Sequence, residues 1–147
     1  MLIDTRVNQM ETVALLERLH RAWLEIVKRH LDRNNLRDLN NVQAMIIHSI
    51  GDEELTVGEL THRGYYLGSN VSYNVKKLTT NGYLEQRPGL HDKRSVQVKL
   101  TPKAIAVRQL IEKLSDQYAQ RVGEPLAKEL SDANRALRQL ERIWTRD

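Results

Sequence analysis

Residues 69–80 combine side chains that form hydrogen bonds with side chains that carry positive charge. On a helix of about 3.6 residues per turn, Val71, Val75 and Leu78 fall on one side, and hydroxyl, amide, phenol and ammonium groups occupy the rest. Such groups can contact base edges in the major groove of DNA and the phosphates beside it. The alternative is an ordinary solvent-exposed helix face, where Ser, Asn and Lys are common. The candidate contacts are Ser69, Asn70, Ser72, Tyr73, Lys76 and Lys77.

A second group of polar side chains lies in the sequence PGLHDKRS, residues 88–95, between two predicted strands. A basic loop of this kind can reach a neighbouring groove, and the narrow minor groove of A·T-rich DNA attracts arginine. We expect Arg94 to take that role, with Asp92 pairing with it and holding its guanidinium group in a fixed direction. The alternative is a solvated turn. The candidate contacts of this loop, the wing, are Arg87, His91, Asp92, Lys93 and Arg94.

The excess positive charge of the chain lies in the segment that holds both groups. Leu55–Leu100 contains seven basic and three acidic residues, and the whole chain of 147 residues has a net charge of +4, so the remainder is neutral. A local basic excess suits binding to the phosphates of a duplex. A net charge of +4 is also ordinary for a soluble protein, so the charge alone leaves that alternative open.

Helix and strand signals indicate which elements position these residues. A capping box of Asn40 with Gln43, and another of Thr56 with Glu59, mark two helix starts, and Thr101-Pro102 marks a third. The predicted elements are helices at Met10–Leu31, Asn41–Ile50, Thr56 to about Gly64 and Ser69–Asn81, a turn at Tyr65–Gly68, strands at Tyr83–Arg87 and Ser95–Leu100, and two C-terminal helices separated at Gly123-Glu124-Pro125.

This order of elements predicts a mainly α fold with a small β-hairpin wing, an α+β winged helix-turn-helix core between N- and C-terminal helices. The outer helices carry more apolar surface than so small a core can bury, which indicates a dimer interface built from both ends of the chain. We expect residues 1–38 to form an N-terminal dimerisation helix, 39–101 the DNA-binding domain, and 102–147 the C-terminal dimerisation helices.

Several kinds of chemistry have no support in the sequence. The chain has no cysteine, so disulfides, thiolate nucleophiles and cysteine zinc sites are excluded. None of its five histidines has another four residues away, and no Gly-rich phosphate loop or hydrolase motif occurs. We therefore expect no catalytic residue, metal or cofactor, and no enzyme. The acidic run Asp52–Glu54 could bind a cation or form a solvated turn. Without a membrane-length apolar run or a signal peptide, we expect a cytoplasmic protein.

With these residues identified, the segment Asn41–Ala104 resembles the MarR family of bacterial winged-helix regulators. The resemblance rests on LTVGEL, LGSNVSYNVKKLTTNGYL, the D-K-R of the wing and the LT of KLTPKA. Ala104 replaces a glycine that is common in the family, and the turn GYYLG is more aromatic than usual. RGYYLGSNVSYN also looks like a branch linked to L,D-transpeptidase and stress genes.

The resemblance implies a homodimer that binds a pseudo-palindromic double-stranded DNA operator and represses transcription. It also implies release of the DNA by a small aromatic or phenolic effector in a cleft between the dimerisation and DNA-binding parts. Ser69, Asn70, Ser72, Tyr73 and Lys76 would then contact bases or phosphates, and Asp92 and Arg94 would be the wing pair. A different reading is a winged-helix protein–protein module without sequence-specific DNA binding.

Overall fold

The computed structural model of the chain describes residues 4–63, 68–89, 91–92 and 94–146, with the side chain of Ser69 outside the described set. It confirms the mainly helical fold with a small sheet. The elements are α1 (Thr5–Arg33), α2 (Asn41–Ile50), β1 (Leu55–Thr56), α3 (Val57–His62), α4 (Gly68–Thr80), β2 (Leu84–Pro88), β3 (Val96–Leu100) and α5 (Pro102–Trp144). No helix in this described part is both long enough and apolar enough to cross a membrane.

The first helix is longer than its apolar pattern predicts. Asp4 caps its start, because the Asp4 side chain accepts hydrogen bonds from the backbone N–H groups of Arg6 and Val7. At the other end Asn35 adopts a φ of 57°, which allows the N–H of Leu36 to bond the carbonyl of Leu31 at 3.0 Å. The helix therefore extends beyond the predicted Met10–Leu31 in both directions.

The predicted bounds of α2 are confirmed, because its end signals are local. Asn40 Oδ1 accepts from the backbone N–H of Gln43 at 2.8 Å, and Gln43 Oε1 accepts from the backbone N–H of Asn40 at 3.0 Å. This is the reciprocal capping box. Gly51, with a φ of 59°, ends the helix.

The sheet has three strands instead of the predicted two. β1 pairs antiparallel with β3, with Leu55 opposite Val98, and β2 pairs with β3 on its other side, with Leu84 opposite Leu100. The strand order is β1-β3-β2. A strand of two residues is too short to show an alternating pattern, which is why the sequence does not reveal it. β1 leads directly into α3, where the Thr56 hydroxyl accepts a hydrogen bond from the backbone N–H of Glu59 at 3.1 Å.

The end of α4 is fixed by two backbone hydrogen bonds. The N–H of Gly82 bonds the carbonyl of Thr79 at 3.1 Å, and the N–H of Tyr83 bonds that of Leu78 at 2.9 Å. With Gly82 at a φ of 80°, this is a Schellman motif. It turns the chain directly from α4 into the first wing strand.

The chain divides into two compact units, residues 1–111 and 112–147. The first contains the winged-helix elements and the start of α5, and its core is built almost wholly from aliphatic side chains, as the absence of Phe requires. Within the second, Gly123 has a non-helical φ of 76° and ψ of 164°, with Pro125 just after it. The predicted break between two C-terminal helices is therefore confirmed at Gly123.

Candidate nucleic-acid interface

Helix α4 has one buried side and one exposed polar side, in the phase that its sequence predicts. Val71, Val75 and Leu78 are at most 3% exposed. Tyr73, on the other side, has 65% of its surface exposed. The described side chains exposed on this helix are Asn70, Ser72, Tyr73, Lys76, Lys77 and Thr80. They form one surface with hydrogen-bonding groups, an aromatic ring and two ammonium groups.

Two buried amides also hold α4, and the sequence predicted a capping role for Gln43 but not its contact with Asn74. Asn74 lies on the buried side of α4, where its Oδ1 accepts from Gln43 Nε2 of α2 at 3.2 Å. Its Nδ2 donates to the backbone carbonyl of Asn70 at 2.8 Å. The phasing contained a signal, because positions 71, 74, 75 and 78 share one helix face. A polar residue at position 74 among three apolar ones therefore had to find a buried partner.

The wing is shaped by hydrogen bonds to the backbone. Asp92 Oδ1 accepts from the backbone N–H of Arg94 at 2.9 Å, and the Asp92 carbonyl accepts from the N–H of Ser95 at 3.0 Å and from its hydroxyl at 2.7 Å. Gly89 is buried, and its N–H bonds the Ser95 carbonyl at 2.9 Å. A Cβ at Gly89 would lie 2.7 Å from the Asp92 carbonyl oxygen. The wing thus requires glycine at this position.

The expected ion pair between Asp92 and the guanidinium group of Arg94 is absent from the contacts of the described residues, and this corrects the sequence prediction. The short Asp side chain instead reaches the backbone two residues ahead, as Asp commonly does in turns. The Arg94 side chain is exposed. Asp92 therefore fixes the backbone that carries Arg94, and the guanidinium group extends into solvent. His91 is exposed beside it, and Lys93 lies outside the described residues.

Arg87, the first of the predicted wing contacts, lies beside two carboxylates. Its Nη1 is 3.3 Å from Glu54 Oε1, and its Nη2 is 3.6 Å from Glu85 Oε2. Lys99 Nζ is 4.0 Å from the same Glu54 oxygen. The positive charges of Arg87 and Lys99 are therefore partly neutralised by carboxylates of the protein itself.

The acidic run before β1 uses each of its carboxylates in an ion pair. Glu54 pairs with the cations of the sheet, Glu53 with Arg63 at the end of α3, and Asp52 with Arg108 of α5, at 2.5 Å. The run is exposed, as expected for a solvated turn, but its carboxylates pair with cations of neighbouring elements. No ion pair involves Lys76, Lys77 or Arg94 among the described residues, so these three exposed cations remain for phosphate or base contacts.

A cluster of Asp38, Tyr83 and Lys103 fastens the far end of α4. The Tyr83 hydroxyl donates to Asp38 Oδ1 at 2.8 Å, and Lys103 Nζ lies 3.3 Å from Asp38 Oδ2 and 4.2 Å from the centre of the Tyr83 ring. Lys103 also donates to the carbonyl of Asn81, the last residue before the glycine turn, at 2.8 Å. The loop before α2, the end of α4 and the start of α5 are therefore joined at one point.

The cluster changes the acidity of two of its members. The hydrogen bond from Tyr83, helped by Lys103, lowers the pKa of Asp38 below its usual value. Burial, together with the hydrogen bond to Asp38, raises the pKa of Tyr83 far above its usual value. Both shifts favour the carboxylate and the neutral phenol, which is the pair that forms the hydrogen bond. In the same described part of the chain, no group of three or more His, Asp or Glu side chains could hold a metal ion.

The sequence resembles known regulators over nearly its whole length. Residues 39–104 match the family described as a winged helix DNA-binding domain. The chain is 31% identical over 143 residues to the exopolysaccharide II synthesis transcriptional activator ExpG of Rhizobium meliloti (strain 1021), a match that covers 96% of this chain and 74% of ExpG.

Solved structures share the fold. Streptococcus pneumoniae FabT in complex with DNA superimposes with a TM-score of 0.71 at 18% identity, covering 92% of this chain and 96% of FabT. Staphylococcus aureus MarR in complex with salicylate and kanamycin gives a TM-score of 0.71 at 18% identity, covering 93% of this chain and 94% of that protein. These likenesses concern the fold, and the sequence relationship to ExpG adds the functional class. The chain belongs to the MarR family of winged-helix, DNA-binding transcriptional regulators.

Proposed function

We propose that the protein is a homodimer that binds a pseudo-palindromic operator, with α4 of each subunit in a major groove and each wing at the adjacent minor groove. The observation that carries this proposal is the exposed face of α4, where Tyr73, Lys76 and Lys77 lie among exposed hydroxyl and amide groups. In this arrangement Ser69, Asn70, Ser72, Tyr73, Lys76 and Lys77 contact bases and phosphates. The structural neighbour FabT is named as a complex with DNA, which supports the same mode of action.

The cations of the wing contribute unequally to DNA binding in this proposal. Arg94 is exposed, and its backbone is held by Asp92, so it is the cation that enters the minor groove. His91 and Lys93 contact the backbone of the duplex. Arg87 contributes less, because DNA phosphates must compete with Glu54 and Glu85 for its guanidinium group.

Exposed apolar side chains at both ends of the chain support the dimer. In α1, Val7, Met10, Leu16 and Leu19 are 43–63% exposed, and Leu16 and Leu19, three residues apart, are neighbours on the helix surface. After the break at Gly123, apolar residues follow at alternating steps of four and three, which is the seam of a two-stranded coiled coil: Leu126, Leu130, Ala133, Leu137, Leu140 and Trp144. A second copy of the chain would cover this seam and the exposed apolar side chains of α1. Two half-sites about one helical turn of DNA apart then match the two recognition helices.

A small effector is the remaining part of the proposal. One cavity of about 290 Å³ is lined by residues of α1, of the loop that follows it and of the start of α2, including Lys28, Asp32, Leu39 and Asn41. That volume is at the lower end for ligand sites and suits a molecule of the size of an aromatic acid. The structural neighbour from Staphylococcus aureus is named as a complex with salicylate, a phenolic acid. A melting-temperature screen with phenols and aromatic acids tests this part, because a ligand that binds only the folded state raises stability.

The direction of regulation is proposed to be repression, as the family resemblance implies. ExpG is named an activator, so the same DNA-binding step serves either outcome in related proteins. Transcription in vitro from the protein's own promoter, with and without the protein, decides between the two: a higher yield of transcript with the protein would overturn repression.

Footprinting on the DNA upstream of its own gene, followed by a gel-shift series, tests the proposal as a whole. We expect protection of two half-sites about one helical turn apart, and binding of this fragment at least 1,000-fold tighter than of random duplex, the lower end for specific regulators. Equal affinity for both duplexes would instead favour the winged-helix protein–protein module.

A further inference from the structure

Two buried amide side chains link α2 to the recognition helix α4. Gln43 is 5% exposed and Asn74 is 8% exposed. Gln43 Oε1 accepts from the backbone N–H of Asn40 at 3.0 Å, Gln43 Nε2 donates to Asn74 Oδ1 at 3.2 Å, and Asn74 Nδ2 donates to the carbonyl of Asn70 at 2.8 Å. We name this continuous chain of hydrogen bonds, from Asn40 through Gln43 and Asn74 to Asn70, the amide relay.

Stability alone does not explain why amides occupy these positions. Apolar side chains of similar size in a core are often as stabilising as a buried polar pair, because a polar pair must first lose its hydration. What the amides add is direction. The apolar row Val71, Val75 and Leu78 buries α4 without fixing its rotation, since the hydrophobic effect is non-directional. A hydrogen bond weakens steeply when its angle changes, so the relay resists rotation and sliding of the helix.

We propose that the amide relay sets the rotation and axial position of α4, and thereby the operator specificity of the protein. This inference depends on the proposed role of α4 in base recognition. The relay ends at Asn70, in the first turn of α4 on its exposed face. Base contacts must be held within roughly 0.5 Å to be productive, whereas the long side chains of Lys76 and Lys77 can follow a phosphate through a small displacement. Gln43 and Asn74 are therefore positioning residues that act on the selective contacts and leave the phosphate contacts unchanged.

The test uses Gln43→Met and Asn74→Leu in the full chain, with Gln109→Met, at an exposed position of α5, as the matched control. Affinity is measured for the footprinted operator and for a random duplex of equal length at one salt concentration. We expect operator affinity to fall about tenfold or more in both variants, the effect of losing one good base contact, while random-duplex affinity stays within about threefold because phosphate contacts dominate it. Gln109→Met should bind both the operator and the random duplex with wild-type affinity.

Hydrogen exchange on the free protein gives a readout that needs no operator. We expect the amides of α4 to exchange faster in both variants, with α1 unchanged, because only the local restraint is lost. Folded variants that keep the operator-to-random ratio and the exchange of α4 would overturn the relay. A wild-type protein without operator preference would overturn the proposed base recognition instead, and unchanged exchange of α4 would still refute the restraint. If Asn74→Leu does not fold, Gln43→Met carries the test alone, since it removes the donor to Asn74 and with it the link from α2 to α4.

Discussion

The Tyr83 hydroxyl donates a 2.8 Å hydrogen bond to the carboxylate of Asp38, 45 residues earlier in the chain. Lys103 completes the contact from a third segment, with its ammonium group near both the carboxylate and the phenol ring. Because Tyr83 directly follows the glycine turn that ends α4, this contact holds the C-terminal end of the recognition helix, while the amide relay is proposed to hold its first turn and middle.

Replacing Tyr83 with Phe removes the hydroxyl and keeps the buried ring. We expect the free energy of unfolding to fall by about 1 kcal/mol, the usual net contribution of one such hydrogen bond. Urea denaturation measures this change. Tyr73→Phe is the matched control, because the Tyr73 side chain is 65% exposed and loses no buried contact. Equal stability of Tyr83→Phe and wild type would contradict the role of this hydrogen bond.

The lowered pKa of Asp38 predicts a stability contribution that disappears in acid. The folded pKa lies below the unfolded value, so the contribution is fully present above the unfolded pKa of about 3.9 and is lost as the pH falls through the folded pKa. We expect Asp38→Asn to be less stable than wild type at neutral pH and to approach it on acidification. Thermal unfolding of both proteins across the acidic range checks this. A difference that stays constant with pH would show that the charge of Asp38 is not involved.

Gly89→Ala should damage the wing and spare the rest of the fold. The new Cβ would lie 2.7 Å from the carbonyl oxygen of Asp92, closer than van der Waals contact allows, and that carbonyl is held by two bonds from Ser95. We expect operator affinity to fall about tenfold, equivalent to about 1.4 kcal/mol, with little change in melting temperature. Gly58→Ala in α3 is the control, since its Cβ would meet nothing closer than 3.8 Å. Operator binding by Gly89→Ala at the wild-type level would refute the wing contact.

Arg94→Ala and Arg87→Ala should differ in their effects on binding. Arg94 is exposed without an ion pair among the described residues, and each phosphate-contacting cation adds about one to the slope of log affinity against log salt. We expect Arg94→Ala to weaken operator binding and to lower this slope by about one per subunit. Arg87→Ala should change operator affinity and the salt slope less, because Glu54 and Glu85 already neutralise Arg87 in part. If Arg94→Ala binds as tightly as wild type at about 150 mM salt, near physiological ionic strength, the assignment of Arg94 is wrong.

Leu19→Asp should separate the proposed dimer. Leu19 is 63% exposed within one chain, so a carboxylate there costs the monomer little, but it would place unpaired charge in an apolar interface. We expect sedimentation at about the mass of one chain, 17.1 kDa, and a loss of operator affinity. Arg21→Asp on the opposite side of α1 is the control and should remain dimeric. A dimeric Leu19→Asp protein would exclude Leu19 from the interface.

The sequence predicted what depends on neighbouring residues. The capping box of Asn40 and Gln43 fixed the start of α2, and helical phasing separated Val71 and Val75 from Tyr73. These signals lie within a few residues of one another, so no knowledge of the tertiary fold was needed. The outward direction of Asn70, Tyr73 and Lys76 was predictable for the same reason.

What the sequence did not predict depends on contacts between distant segments. The third strand exists because Leu55 meets Val98, and Asn74 is satisfied because Gln43 lies opposite it, 31 residues away. The predicted ion pair between Asp92 and Arg94 was wrong even though the two residues are close in sequence. Asp92 binds the Arg94 backbone, because a short side chain reaches a nearby N–H more readily than a flexible guanidinium group. Side-chain chemistry alone suggested the ion pair.

The break at Gly123 interrupts the helical backbone of α5 just before its apolar seam begins. The φ of 76° and ψ of 164° at Gly123 are adopted without strain only by glycine, although a Cβ there would meet only Pro125, at 4.0 Å. Pro125 falls within the first turn of the following segment, where a missing N–H is tolerated. In the proposed dimer, mutations after the break therefore change the apolar seam, and with it the choice of a partner subunit, without altering a continuous helix that runs back to the winged-helix core.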